Sequence, residues 1–273
     1  MRFSWMAALV AAMSFTVSVR AQTAAWQFRW QPGQVLTYRI EQVTKATEIS
    51  GRNRFEVSSK LTLVKRWQVQ GIDDKGVATL QMTVTSMRNE QVRPNGEVLL
   101  FDSSHPDKST PELREQMAKY VGKPLALLRV DGRGKVVEAI KGSAAQFESD
   151  PPLSLRLPQA ATQSGQSWER LYQIALEPPY GTGEKYRGTQ RYTVTKIAGN
   201  LATIQLTTNL QMPDNVSERV PLLQKQPRGE IVFNIQAGRL QSADFRVDQT
   251  LQGHQGEGSS YHFESVYREQ YVE

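Results

Sequence analysis

The 273-residue chain holds three histidines and no cysteine, which narrows its scope for nucleophilic and metal chemistry. His105 stands between Asp102 and Asp107, a spacing that hard-ligand metal sites can show. The same run, Asp-Ser-Ser-His-Pro-Asp-Lys-Ser over 102–109, is also an ordinary polar loop. A metal site needs several converging ligands, and none is assigned. His262 and Glu264 share one face if their segment is a strand, where a carboxylate could orient a general base. An exposed pair on a β surface is the simpler reading. Without cysteine there is no thiol nucleophile, thiolate site or redox switch. No serine sits in a Gly-x-Ser-x-Gly elbow. Gly253-His254-Gln255-Gly256-Glu257-Gly258 lacks the spacing of a dinucleotide fingerprint, and Gly132-Arg133-Gly134-Lys135 that of a phosphate loop. Both read as hairpin turns. The 27 acidic residues allow too many accidental carboxylate pairs to choose among. No catalytic residue, cofactor or metal is assigned.

Aromatic residues remain. Trp26, Phe28, Trp30, Tyr38, Trp67, Trp168 and Tyr192 gather near the start of two stretches of alternating sequence. Large aromatics dominate cores. They also line apolar cavities between curved sheets. Both readings stand for these seven.

The elements that must position them alternate with period two, as half-buried strands do. Trp26, Phe28 and Trp30 point one way, and Gln27 and Arg29 the other. After the Pro32-Gly33 turn, Leu36, Tyr38 and Ile40 resume the pattern. Leu61, Leu63, Trp67 and Val69 line one face of a longer strand. Asp73-Asp74-Lys75-Gly76 turns it back into Ala78, Leu80, Met82 and Val84.

The second half repeats the first. Trp67, Val69 and Ile72 fall in step with Tyr192, Val194 and Ile197. Val77-Ala78-Thr79-Leu80-Gln81 answers to Leu201-Ala202-Thr203-Ile204-Gln205. Gly33-Gln34 and Gly165-Gln166 open matching segments, the latter leading into Trp168. Asn95-Gly96-Glu97-Val98 resembles Arg228-Gly229-Glu230-Ile231, and Gly134-Lys135-Val136 resembles Gly238-Arg239-Leu240. A repeat longer than about 100 residues suggests two related halves.

A helix is expected at about 109–121, in the first half alone. Ser109 with Glu112 can form a capping box, Pro111 suits the first turn and Gly122 stops the helix. Leu113, Met117, Tyr120 and Val121 make a narrow stripe that would pack on a sheet or cover its open end. Residues 141–164 read as the connection between a first β half, 22–140, and a second, 165–273. Within it Leu153, Leu155 and Leu157 alternate before Pro158, as a short edge strand would. Loops are expected over 177–187 and 212–228. Tyr261, Phe263, Tyr267 and Tyr271 mark a last strand with one aromatic face. The fold class is mainly β and antiparallel, with strongly curved sheets forming a barrel, a half-barrel or a two-sheet clam from two pseudo-repeats.

The N-terminus reads as an export signal. Arg2 precedes an apolar run from Met6 to Val19, too short to span a bilayer, which takes about 20 residues. Val19-Arg20-Ala21 places small residues where a signal peptidase cuts, after Ala21, so residues 1–21 are the expected signal peptide. The formal charge is +6, and removal of the signal leaves 31 basic against 27 acidic residues. Those charges are interspersed, which suits a solvated surface and offers no nucleic-acid footprint. The roughly 250 residues left could bury roughly 75% of the unfolded chain's surface, so the fold needs no disulfides.

Several of these motifs carry a resemblance. The opening Trp-x-Phe-x-x-x-Pro-Gly-Gln-x-Leu-x-Tyr-Arg, Trp26 to Arg39, resembles the start of a secreted bacterial family, the domain of unknown function 6263. So do Gly76-Val77-Ala78, Phe101-Asp102-Ser103, Val121-Gly122-Lys123-Pro124 and Val130 through Val136. Gly165-Gln166-Ser167-Trp168 is similar to its second landmark, and Leu153–Pro158 to its leucine–proline segment. The resemblance covers most of the mature chain. It implies a fold and an exported location, and lends no catalytic residue. In architecture it also resembles the periplasmic lipoprotein-carrier half-barrels, and fold alone does not imply function. The expected role is an exported, periplasmic or secreted, non-enzymatic β-protein that binds an apolar small molecule, a lipid or an envelope component. The alternatives are a structural or protein-interaction module of the envelope, and, behind it, a hydrolase using carboxylates or His262. No nucleic acid and no integral membrane segment are expected in the mature chain.

Overall fold

The computed structural model describes residues 25–160, 162–176 and 181–272. The expected signal, 1–21, and residues 177–180 of the expected 177–187 loop lie outside the described residues. The protein is mainly β and antiparallel. The first half supplies β1 (Val35–Ser50), β2 (Asn53–Ile72), β3 (Ala78–Val92), β4 (Val98–Asp102), β5 (Pro124–Val130) and β6 (Val136–Lys141). The second supplies β7 (Ser167–Leu176), β8 (Glu184–Ala198), β9 (Leu201–Leu210), β10 (Arg228–Asn234), β11 (Arg239–Gln252) and β12 (Ser260–Tyr271). All belong to one sheet in the order β6-β5-β3-β2-β1-β12-β11-β10-β9-β8-β7, with β4 pairing on β3. Strands β1 and β12 pair and so join the halves, while β6 and β7 are the edges, with no ladder between them.

The matched sequences occupy matched registers. Trp67 faces Met82 and Val69 faces Leu80; Tyr192 faces Leu206 and Val194 faces Ile204. A register shift follows Val69 in one half and Val194 in the other. The Gly33 N–H donates to Val69 O at 2.9 Å, and the Gly165 N–H donates to Val194 O at 2.7 Å. Leu80 lies beside Leu128 on β5, and Ile204 beside Ile231 on β10. One sequence match is corrected. Asn95–Val98 leads into β4, whereas Arg228–Ile231 opens β10, which takes the place in the sheet that β5 takes in the first half.

Residues 26–30 are not the expected strand, although their alternation is real: Trp26, Phe28 and Trp30 are buried and Gln27 and Arg29 exposed. Their amides bond to turns. The Phe28 N–H donates to Gly132 O at 2.7 Å and the Arg29 N–H to Gly238 O at 2.9 Å, so the segment crosses from the β5–β6 turn to the β10–β11 turn. The two turn glycines permit this approach. A Cβ at Gly134 (φ +83°) would stand 2.7 Å from Leu155 O and 2.8 Å from the Phe28 ring, and one at Gly238 (φ +63°) would collide with Arg29.

Three helices occur among the described residues, not one. Helix α1 (Pro111–Met117) continues as a 3-10 turn to Tyr120, and its N-cap is Thr110 with no side-chain cap bond. The expected capping box is absent because both its members are engaged elsewhere. Ser109 Oγ accepts from the Asp102 N–H, and Glu112 pairs with Arg93. Leu113 packs with Leu99 and Phe101, which seats α1 on β4, while Tyr120 stays 41% exposed. Helix α2 (Ala144–Ser149) lies in the connection and touches both β6 and β7. Helix α3 (Val216–Leu223) falls where a loop was expected, and Leu222 is fully buried. Strand β8 begins at Glu184, inside another expected loop.

Leu153–Leu157 is neither a strand nor an edge. All three leucines are 0% exposed and belong to the same core as Trp26, Leu80 and Ile204. Hydrogen bonds to its backbone come from both halves. Tyr192 Oη donates to Ser154 O at 2.5 Å, Arg133 Nε to Leu157 O at 3.1 Å and Trp168 Nε1 to Arg156 O at 2.5 Å. The alternation that resembled a strand comes from a buried connection whose carbonyls are met by side chains, as burial requires.

Candidate functional site: an inward ion pair beside adjoining cavities

Strand parity puts Lys65 on the same face as Leu63 and Trp67, and Glu269 on the same face as Tyr267 and Tyr271. That face is the interior. Lys65 is 8% exposed and Glu269 1%. In the sheet, Lys65 lies opposite Tyr38 and Glu269 opposite Ile40, so the two meet across β1. Lys65 Nζ donates to Glu269 Oε2 at 3.1 Å and to Pro151 O at 2.7 Å. Tyr267 Oη also donates to Glu269 Oε2, while Glu269 Oε1 has no partner among the described residues. Burial raises the Glu269 carboxyl above its ordinary value, against the pull of Lys65 and Tyr267. Burial and then Glu269 push the Tyr267 phenol well above its ordinary range; Tyr38 shifts the same way for the same reasons.

Asp150, at the end of α2, stands at the junction of three adjoining cavities. Solvent reaches it, yet protein rings it closely enough for desolvation to raise its pKa, with Lys65 and then Lys225 opposing. The first cavity, about 410 Å³, is lined chiefly by Ile40, Leu61, Leu63, Trp67, Met82, Val84, Leu125 and Phe147. Ligand pockets run to roughly 300–1,000 Å³ and are mostly apolar with a few convergent polar groups. The Trp67 Nε1–H is buried without a partner among the described residues. A second cavity, about 640 Å³, lies between α3 and the inner face of β1 and β12 and carries Gln42, Thr44, Gln224, Lys225 and Ser265. A third, about 120 Å³, shares Gln42, Asp150 and Tyr267 with the first.

The seven aromatics separate. Trp26, Phe28, Trp30, Tyr38 and Tyr192 lie in the core, and Trp168 packs against it, 5.4 Å from Tyr192. Trp67 is the member of the set that lines one of the cavities described above. The histidines also separate. His105 Nδ1 is 3.4 Å from Asp102 Oδ2, but Arg88 holds the same oxygen at 3.0 Å. Burial works to raise Asp102, yet hydrogen bonds from the Ser104 N–H, Arg88 and His105 outweigh it and lower the pKa. His262 and Glu264 are joined by Asp248 from β11, with His262 Nε2 3.1 Å from Asp248 Oδ1. Both carboxylates of this trio are exposed.

Residue types alone passed over Lys65, Glu269 and Asp150. A signal existed for two of them. Lys65 interrupts Leu61, Leu63, Trp67 and Val69, and Glu269 interrupts Tyr267 and Tyr271, each a charge at an inward position. Asp150 has no such signature, since only the packing of the connection brings it to the cavities.

No protein-family model matches the sequence, and no curated protein does. Among solved structures the chain aligns with DynF from the dynemicin biosynthesis pathway of Micromonospora chersina. That alignment covers 97% of this chain and 93% of DynF at 7% identity, with a TM-score of 0.24. MucB in complex with MucA(peri) aligns over 85% of this chain and 89% of that one at 8% identity, with a TM-score of 0.12. The MucA/MucB complex of Pseudomonas aeruginosa aligns over the same shares at 9% identity, with a TM-score of 0.11. At these scores the likenesses support no statement about fold or function.

Proposed function

We propose that this is an exported, non-enzymatic protein that holds an apolar or amphipathic ligand inside a strongly curved sheet built from two pseudo-repeats. The observation that carries the reading is the cavity of about 410 Å³ with an aliphatic and aromatic lining and Lys65, Gln42 and Asp150 at its polar margin. Curvature is supported by α2. A flat sheet in this strand order would hold β6 and β7 on the order of 50 Å apart. A six-residue helix, roughly 9 Å long, touches both. The repeat is supported by the matched registers and matched bulges, and export by the Arg2-to-Ala21 pattern.

Native mass spectrometry and lipid extraction of protein purified from its own envelope test the reading. A bound apolar molecule is the expected result, with a tryptophan emission shift on adding acyl probes. An empty protein whose tryptophans ignore such probes would overturn it. A second reading, an interaction module of the envelope, is favoured by Phe55 and Val57, which are 48% and 45% exposed on one face of β2. It predicts one discrete cross-linked partner, lost on Phe55→Ser with Val57→Ser.

A further inference from the structure

We infer that the ligand is a single-chain amphiphile with a zwitterionic head group, its cationic part on Asp150 and its anionic part on Lys225. This rests on the ligand-binding reading above. Three charged side chains line the three cavities: Lys65, Asp150 and Lys225. Lys65 is already committed, with Nζ 3.1 Å from Glu269 Oε2 and 2.7 Å from Pro151 O. Asp150 and Lys225 are not. Asp150 follows α2 and Lys225 follows α3, so separate segments bring opposite charges to the walls of the same two cavities, of about 120 and 640 Å³. Among the described residues neither side chain makes a hydrogen bond or an ion pair, with the other or with a third group.

A head group seated between them gives each charge a counter-ion that the fold does not supply. An anionic head would use Lys225 and meet a like charge at Asp150, a cationic head would do the reverse, and an uncharged head would leave both unpaired. The raised pKa of Asp150 accords with a carboxylate that lacks a close partner. Gln42, Thr44, Gln224 and Ser265 add amides and hydroxyls around the two charges. The cavity of about 410 Å³, whose wall of Leu61, Leu63, Met82 and Leu125 suits an alkyl chain, is bordered by Asp150 and not by Lys225. A chain seated there brings the nearer part of its head to Asp150 and the farther part to Lys225. That is the charge order of an alkyl betaine.

Calorimetric titration of the full protein at neutral pH, below micellar concentrations, tests this. The probes are dodecyl betaine, laurate, dodecyltrimethylammonium and monolaurin, all of one chain length. Wild type is expected to bind dodecyl betaine roughly tenfold or more tightly than each of the other three. Asp150→Asn should weaken the betaine roughly tenfold without weakening laurate. Lys225→Gln should weaken it roughly tenfold without weakening dodecyltrimethylammonium. Monolaurin should stay within about threefold in both variants. Betaine binding no tighter than the other probes in wild type, or unchanged in either variant, overturns this inference alone. Absence of binding by all four probes overturns the ligand-binding reading and this inference with it.

Discussion

Strands β2 and β8 carry different polar chemistry at corresponding ladder positions. Two residues before Trp67 stands Lys65, and two before Tyr192 stands Gln190; their neighbours across the ladder are Tyr38 and Arg170. Both halves reach inward from this spot to grip the connection. Lys65 Nζ donates to Pro151 O at 2.7 Å, and Arg170 Nη2 donates to Glu148 O at 2.8 Å. In the second half the position is tied by hydrogen bonds and borders the cavity of about 120 Å³. Gln190 accepts from Arg170 and from Tyr192 Oη, and donates to Thr208 Oγ1 at 3.2 Å. In the first half the site borders the 410 Å³ cavity, and its cation is balanced by Glu269, which comes from β12 of the other half. The two positions therefore border cavities of different size, about 410 Å³ beside Lys65 and about 120 Å³ beside Gln190. The ion pair stands where the halves differ, beside the seam between β1 and β12.

Breaking the ion pair should have the largest effect. Lys65→Met leaves Glu269 buried without its cation and should cost about 3–5 kcal/mol in urea unfolding. Adding Glu269→Leu should recover most of that loss, since a buried pair replaced by apolar groups is often neutral or stabilising. A double variant no more stable than the single one would show that Glu269 does not depend on Lys65. Leu155→Ala removes a fully buried anchor of the connection and should cost about 2–5 kcal/mol by the same measurement. Tyr192→Phe strips the hydroxyl from Ser154 O and Gln190 Oε1 in the second half and should cost about 1–3 kcal/mol. The smallest effect is pH-linked. Asp150 has a raised folded pKa, so the stability that its protonation contributes is fully present below the ordinary value of 3.8 and is lost as pH rises through the raised value. The stability of Asp150→Asn relative to wild type should therefore climb from acid to neutral pH, read as the difference in urea midpoints. A flat difference would remove burial as the cause.

Much of the architecture was legible because period-two alternation and turn glycines act locally. The hairpin at Asp73–Gly76, the inner face from Ala78 to Val84 and the aromatic face of β12 follow from strand parity alone. Three readings failed where a local pattern had a non-local cause. Trp26–Trp30 and Leu153–Leu157 alternate like strands, yet their polar backbone groups are met by turns and side chains from distant strands. Ser109 and Glu112 have the capping-box spacing, but Asp102 and Arg93 hold them. The site was half legible. Inward charges at Lys65 and Glu269 could be read from parity, but their pairing needs the register across β1, which no single strand encodes.

By itself the sequence determined most of the strands and hairpin turns, the inward faces of those strands and the poverty of nucleophiles and soft metal ligands. Those depend on side-chain parity, backbone freedom at glycine and composition, all of which act within a few residues. The tertiary structure alone decided that one sheet runs from β6 to β7, that Leu153–Leu157 of the connection is buried in its core, and that Lys65, Glu269 and Asp150 gather beside cavities. Those outcomes depend on contacts between residues roughly 80 to 200 positions apart, where burial and charge pairing outweigh local preference.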